Sequence, residues 1–266
     1  MPRLITAFSN PIVRQVRGLR DKKQRRLQGQ FMAEGLRILT EAREAGHLPR
    51  ILFFNGQEDR HPLLQTMIAD TEAQGGDVVE TNADILAKLS GKDNPGVVIG
   101  VYDNLPTSLD RIDRAGADLW IVAQSLRDPG NLGTILRTGD AVGAGGLILV
   151  DDCVDPFSVE AVRATMGALF TQSIATSSWA EFLTWLRAGA GELIGTSLNA
   201  RLDYQQPRYS RPAFILVGNE AQGLPNDYEA ACDTLVRIPM LGKADSLNAA
   251  VATAVMAYEV INQWRR

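Results

Sequence analysis

A chain of 266 residues, 45% apolar and 22% charged, can build one large domain or two modest ones, each with its own core. Its opening residues lack the apolar stretch of a secretion signal, no run is long enough to span a bilayer, and two cysteines (Cys153, Cys232) cannot form a disulfide framework. The expectation is a reduced, cytoplasmic setting without a metal, because the two histidines (His47, His61) stand apart and disfavour a metal centre or a histidine-based triad.

The net charge of −4 hides an asymmetry: residues 1–30 carry +7 and the remainder −11. Within "NPIVRQVRGLRDKKQRRLQGQF", Ile12, Val13, Val16 and Leu19 recur at helical spacing, which predicts one helix with an apolar face. Its cations Arg14, Arg17, Lys22, Lys23, Arg25 and Arg26 are candidate contacts to an RNA backbone, and a solvated basic face is the plain alternative.

Next, "FMAEGLRILTEAREAG" reads as a short strand turning into a helix that Gly46 ends. "RILFFN", "DVVET" and "GVVIGVYDN" read as strands, with helices at "HPLLQTMIADTEAQGG" and "ADILAKLSG". Residues 1–103 then form an N-terminal domain, 104–117 a polar linker and 118–266 a second domain. In the latter, strands at "LWIVAQ", "GLILV", "SIAT", "ELIGTS", "AFILVG" and "TLVRIP" alternate with helices and end in a long helix opening near Ser246. Continuous apolar strands in alternation with helices predict an α/β fold whose sheet is mostly parallel and covered on both faces.

Ligands of such sheets gather at the carboxyl ends of the strands. Three strand ends carry unusual polar sets: "QSLRDPGNLGTILR" with Asn131 and Arg137, "FILVGNEAQGLP" with Gly218 and Glu220, and "RIPMLGKADSLNAAVATAV" with Ser246 and Asn248. None of their glycines makes a dinucleotide fingerprint or a triphosphate loop, which disfavours a nicotinamide-dependent oxidoreductase. Each residue also has a local reading. Asn131 and Ser246 suit N-caps, Glu220 suits a first helical turn, and Arg137 suits a helix surface.

In order and spacing, the three segments resemble the signature motifs of the SpoU (TrmH-like) RNA 2′-O-methyltransferases of the SPOUT superfamily. The basic segment through "MAEGLRILTEA" resembles the family's smaller N-terminal α/β substrate-binding domain, so the likeness covers nearly the whole chain. The resemblance implies a deep trefoil knot, a homodimer, and methyl transfer from S-adenosylmethionine to a ribose 2′-hydroxyl. Ribosomal RNA is expected as substrate ahead of transfer RNA, and a silent RNA-binding module is disfavoured because no signature residue is missing.

By the same resemblance, Thr196, Ser197, Leu198, Gly218, Ile238, Met240 and Leu247 surround the cofactor. Asn131, Arg137, Glu220, Ser246 and Asn248 form the catalytic set, with Arg137 serving the partner's cofactor. A guanidinium is almost never a base, so Arg137 is expected to orient the hydroxyl and stabilise developing negative charge, with Glu220 and Asn131 orienting it in turn. Gly218 and Gly242 are expected to admit a close backbone approach to the ligand.

Overall fold

Short apolar strands and capped helices build two compact units in the computed structural model, which describes residues 2–58, 61–219 and 221–266. The first unit takes in the chain up to Leu105 together with Asp155–Thr171. Its elements before Leu105 are β1 (Arg3–Leu4), α1 (Pro11–Gly18), α2 (Lys22–Gln28), β2 (Gln30–Glu34), α3 (Leu36–Glu44), β3 (Ile51–Asn55), α4 (Pro62–Ala73), β4 (Asp77–Thr81), α5 (Ala83–Ser90) and β5 (Val98–Asp103). The sheet order is β1-β4-β3-β5-β2, with β5 antiparallel to both of its neighbours.

The basic run expected as one helix is two. Asp21 accepts from the Gln24 amide at 3.1 Å and starts α2 afresh after Leu19 has closed α1, so local capping overrides the continuous periodicity. The apolar pattern still holds, because Val13, Val16 and Leu19 are buried against Ile85, Leu86 and Leu89 of α5.

The second unit comprises Pro106–Val154 and Gln172–Arg266. It opens with β6 (Leu119–Gln124), α6 (Pro129–Val142) and β7 (Gly146–Val150). The chain then contributes α7 (Val159–Thr165) to the first unit and resumes as β8 (Ser173–Ser177). There follow α8 (Trp179–Arg187), β9 (Glu192–Thr196), β10 (Leu202–Asp203), β11 (Ala213–Val217), α9 (Asn226–Ala231), β12 (Thr234–Arg237) and α10 (Ala249–Arg265). These strands form a seven-stranded sheet, β10-β12-β9-β11-β6-β7-β8, in which every neighbouring pair is parallel. Every residue of β6, β7 and β11 is buried, so the sheet is covered on both faces, as the unbroken apolar runs predict.

The contiguous division read from the sequence puts residues 155–171 in the second domain, whereas their contacts lie in the first unit. Two buried charges explain the attachment. The Arg25 side chain, 5% exposed, donates to Asp155 at 2.7 and 3.1 Å and to the carbonyls of Leu19 and Arg20 at 2.8 and 2.9 Å. On β2, Glu34 accepts from Arg163 of α7 at 2.7 Å and from the Gly96 amide at 2.8 Å, and Lys92 lies 3.4 Å away. Burial alone would raise the pKa of Glu34, but the Gly96 amide and the two cations hold it below its ordinary value. Phe31 seals the same surface, its ring 5.0 Å from Phe157 and 6.0 Å from Phe170.

Arg25 is therefore removed from the expected RNA-binding set, because its guanidinium is enclosed and each of its nitrogens has a partner. Arg14, Arg17, Lys22, Lys23 and Arg26 are exposed as expected. Removing one partner of a buried ion pair strands the other, so Arg25→Ala is expected to lower unfolding stability by about 3–5 kcal/mol. The exposed neighbour change Arg26→Ala should stay within about 0.5 kcal/mol. Urea unfolding of the two variants side by side measures the contrast.

Candidate functional site

Strands of a parallel sheet deliver their following loops to one edge. The loops after β9, β11 and β12, with the first turns of α10, enclose a cavity of about 380 Å³. Thr196, Ser197, Leu198, Gly218, Ile238, Met240 and Leu247 all line it, as does Ser246. The seven ligand-binding residues expected from sequence are thus brought to one place.

Hydrogen bonds set the loops after β9 and β11. After β9, the Ser197 amide donates to Val236 of β12 at 2.9 Å, and the Thr196 hydroxyl donates to the Leu216 carbonyl at 3.3 Å. The Ser197 hydroxyl donates to the Glu229 carboxylate and accepts from the Asn199 amide at 3.0 Å. After β11, the Asn219 carboxamide oxygen accepts from the amides of Ala221 (2.9 Å) and Gln222 (3.2 Å), while its nitrogen donates to the Ser125 carbonyl at 3.0 Å.

That fold-back explains Gly218. A Cβ there would stand 2.5 Å from the Gly223 carbonyl carbon and 2.6 Å from the Leu224 amide, a clash with backbone. The glycine is demanded by its own loop before any ligand is considered. A Cβ on Gly242 would meet nothing within 4 Å, so close packing requires no glycine there.

The polar set divides. Asn131 and Asn248 are joined, Asn248 Nδ2 donating to Asn131 Oδ1 at 2.9 Å. Neither Asn131 nor Ser246 is an N-cap. Asp128 caps α6, accepting from the Asn131 amide at 2.6 Å, and Asn248 caps α10, accepting from Ala250 at 2.9 Å and Val251 at 3.3 Å. Arg137 lies on the exposed side of α6, makes no hydrogen bond or ion pair among the described residues, and does not line the cavity of its own chain. Glu220 lies outside the described residues.

One cavity residue, Glu229, has no signal in the sequence. Glu229 sits in α9, whose six residues carry no motif, and it reaches the cavity because α9 is pinned from the side. Tyr228 donates to Asp151 at 2.8 Å and stacks on Trp179 at 3.9 Å, and the Trp179 amide donates to the same carboxylate at 3.0 Å. Burial and then the Asp151 carboxylate push the Tyr228 pKa up, which keeps its hydroxyl a donor. Asn219 does lie in one of the polar strand ends, between Gly218 and Glu220, but its role in closing the turn shows only in the structure. Among the described residues no three His, Cys, Asp or Glu side chains gather in a metal-binding group. Burial pushes the Cys153 thiol up to about 11 and that of Cys232 up to about 12, so both stay protonated. Among the described residues no helix is long and apolar enough to cross a membrane.

A model of the SpoU rRNA Methylase family matches residues 118–258, and a model of the MRM3-like substrate binding domain matches residues 10–100. A 23S rRNA (uridine(2479)-2'-O)-methyltransferase of Streptomyces viridochromogenes is 32% identical to this chain, covering 92% of it and 86% of the relative. A 23S rRNA (guanosine(2553)-2'-O)-methyltransferase of Bacillus subtilis is 26% identical, covering 96% of this chain and 98% of the relative. Among solved structures, an AdoMet-bound rRNA methyltransferase from Sinorhizobium meliloti superposes with a TM-score of 0.90 at 38% identity, covering 98% and 97% of the two chains.

The amide of Asn248 does two jobs, and they separate by substitution. Asn248→Ala, which loses the α10 cap and the bond to Asn131, is expected to cost about 1–2 kcal/mol of stability. Asn248→Asp, which keeps an acceptor at the cap but loses the donor, should recover only the capping part. Denaturant midpoints of the three proteins give the comparison.

Proposed function

Because the chain belongs to the SpoU rRNA methylase family, we propose that it transfers a methyl group from S-adenosylmethionine to a ribose 2′-hydroxyl in ribosomal RNA. The observation that carries this is the cavity itself. All seven residues that the motifs assign to the cofactor line one space of about 380 Å³, in the size range of small-molecule sites. Its mixture of apolar walls (Ile238, Met240, Leu247) and hydroxyls (Thr196, Ser197) suits an adenosine with a polar tail.

When bound, the cofactor supplies a methyl group on an electrophilic sulfonium. The chain's task is then to hold a weakly nucleophilic hydroxyl in line with that methyl. Arg137 is the residue proposed for this. A guanidinium offers only donors, so Arg137 donates to the hydroxyl oxygen and stabilises the negative charge that develops on it. Ser246, at the cavity wall, hydrogen-bonds the ribose, and Asn131 and Asn248 lock α6 to the start of α10. Glu220 belongs to the set through its motif, as an orienting acceptor.

Arg137 does not line its own chain's cavity, which supports action across a homodimer. Apolar surface for such a contact is present on α10, where Val251 and Tyr258 are 48% and 56% exposed. The family's knotted threading belongs to the same proposal, supported by the sheet order in which β11 returns between β6 and β9. The exposed cations Arg14, Arg17, Lys22, Lys23 and Arg26 would hold the RNA backbone. Ribosomal RNA takes precedence over transfer RNA because the two relatives described above, each named for 23S rRNA, align over nearly the full chain. One relative is named for a uridine and the other for a guanosine, so the shared target is the ribose. A cytoplasmic site of action follows from that substrate.

Two measurements test the proposal. Calorimetric titration in the presence of chelator should register binding of S-adenosylmethionine and of its demethylated product, and silence from both would refute the cofactor assignment. Arg137→Ala should keep cofactor affinity but lose roughly a hundred- to thousandfold in methyl transfer, about 3–4 kcal/mol. Arg137→Lys should rescue little, since an ammonium lacks the planar fork. Mixing Arg137→Ala subunits with Leu247→Trp subunits should restore about one working site per heterodimer. Heterodimers that form yet stay inactive would assign Arg137 to its own subunit.

A further inference from the structure

The groove between α1 and α5 holds a combination that neither helix packing nor the cofactor cavity requires. Beneath it, Val13, Val16 and Leu19 pack on Ile85, Leu86 and Leu89, which turns Arg17 of α1 and Lys88 of α5 outward. Arg20, in the turn after α1, lies over the end of α5. A Cβ on Gly91, the left-handed residue (φ +74°) that closes α5, would stand 2.3 Å from Arg20 Nη2. The negative end of the α5 dipole favours a cation there. Phe8 lines the groove and is 53% exposed. The space enclosed is about 480 Å³.

The charges are unbalanced. Lys92 is engaged with Glu34, whereas Arg17, Arg20 and Lys88 form no ion pair among the described residues, and only Asp84 and Asp93 bring carboxylates to the groove. An exposed aromatic ring among unpaired cations is the pairing of features that single-stranded nucleic acid sites use, bases stacking on the ring and phosphates tracking the charges. A duplex hides its base faces and would leave the ring unused. An acidic peptide would answer the charges but not the ring.

We propose that this groove seats an unpaired stretch of the RNA substrate, with one base stacked on Phe8 and the flanking phosphates on Arg17, Arg20 and Lys88. The proposal rests on the RNA-methyltransferase reading and gives the basic surface of the first unit a defined groove and a class of RNA strand. It also extends the basic surface beyond the first 30 residues, since Lys88 belongs to α5.

The test uses the full chain and a short fluorescein-labelled oligouridylate, with a blunt RNA duplex and polyglutamate as comparators. Phe8→Ala should weaken oligouridylate binding roughly tenfold with an unchanged salt slope, and Phe8→Trp should restore it. Lys88→Ala should lower the slope of log affinity against log salt by about 0.7, the value for one phosphate contact on a single strand. Cofactor affinity should be the same in all variants, which certifies folding. Wild-type affinity for oligouridylate in both Phe8→Ala and Lys88→Ala would overturn the groove while leaving the methyltransferase reading intact. So would equal weakening of duplex binding, or displacement of the oligouridylate by polyglutamate at equal charge. Absence of RNA binding and of methyl incorporation in the unaltered protein would instead overturn the reading beneath it.

Discussion

Loops at the carboxyl edge of a parallel sheet have no neighbouring strand to satisfy their backbone, and in this protein side-chain amides do that work. Asn219 satisfies two amides of its own turn and ties it to Ser125 after β6. Asn248 satisfies two amides of α10 and ties that helix to Asn131 of α6. The cavity between β9, β11 and β12 exists because these bonds hold its walls apart. Carboxamides suit the task because each offers an acceptor and donors in fixed geometry without a charge to desolvate. The polar residues around the cavity thus have an architectural role, whatever chemistry they perform.

The first unit relies on charge instead. Arg25 and Glu34 are both nearly enclosed, and each finds an oppositely charged group on the segment 155–171. Burying an ion is tolerable only when its hydrogen-bonding capacity is met, and here carbonyls, an amide and carboxylates complete the sets. Such pairs specify which surface the segment docks on, since a slipped register would leave both charges stranded. Phe31, Phe157 and Phe170 supply the apolar contact around them.

Much of this was legible in the residues. The long buried strands β6, β7 and β11 are unbroken apolar runs, and the parallel sheet follows from their alternation with helices. The residues that line the cavity were legible because motif order fixes which loops meet, whatever their contacts. Details that depend on partners distant in sequence were not. Arg25 reads like its neighbours on a basic helix until Asp155, 130 residues away, is brought beside it. Asn248 and Ser246 are equally good caps by type, and only the geometry of the loop after β12 chooses between them. Gly218 reads as a ligand contact, yet the Asn219 turn is what forbids a side chain there. Glu229 carries no signal of its own, because its position is set by Tyr228, Trp179 and Asp151.

The excursion of Asp155–Thr171 into the first unit also orders events on the ribosome. Domains generally form as units, the N-terminal one first as the chain emerges. Here the first unit is still missing a wall when Leu105 has been made, and Arg25 and Glu34 wait without their carboxylate and guanidinium partners until α7 follows. By then β6, α6 and β7 of the second sheet are already out. The nascent chain consequently cannot complete the first unit before the second has begun to emerge.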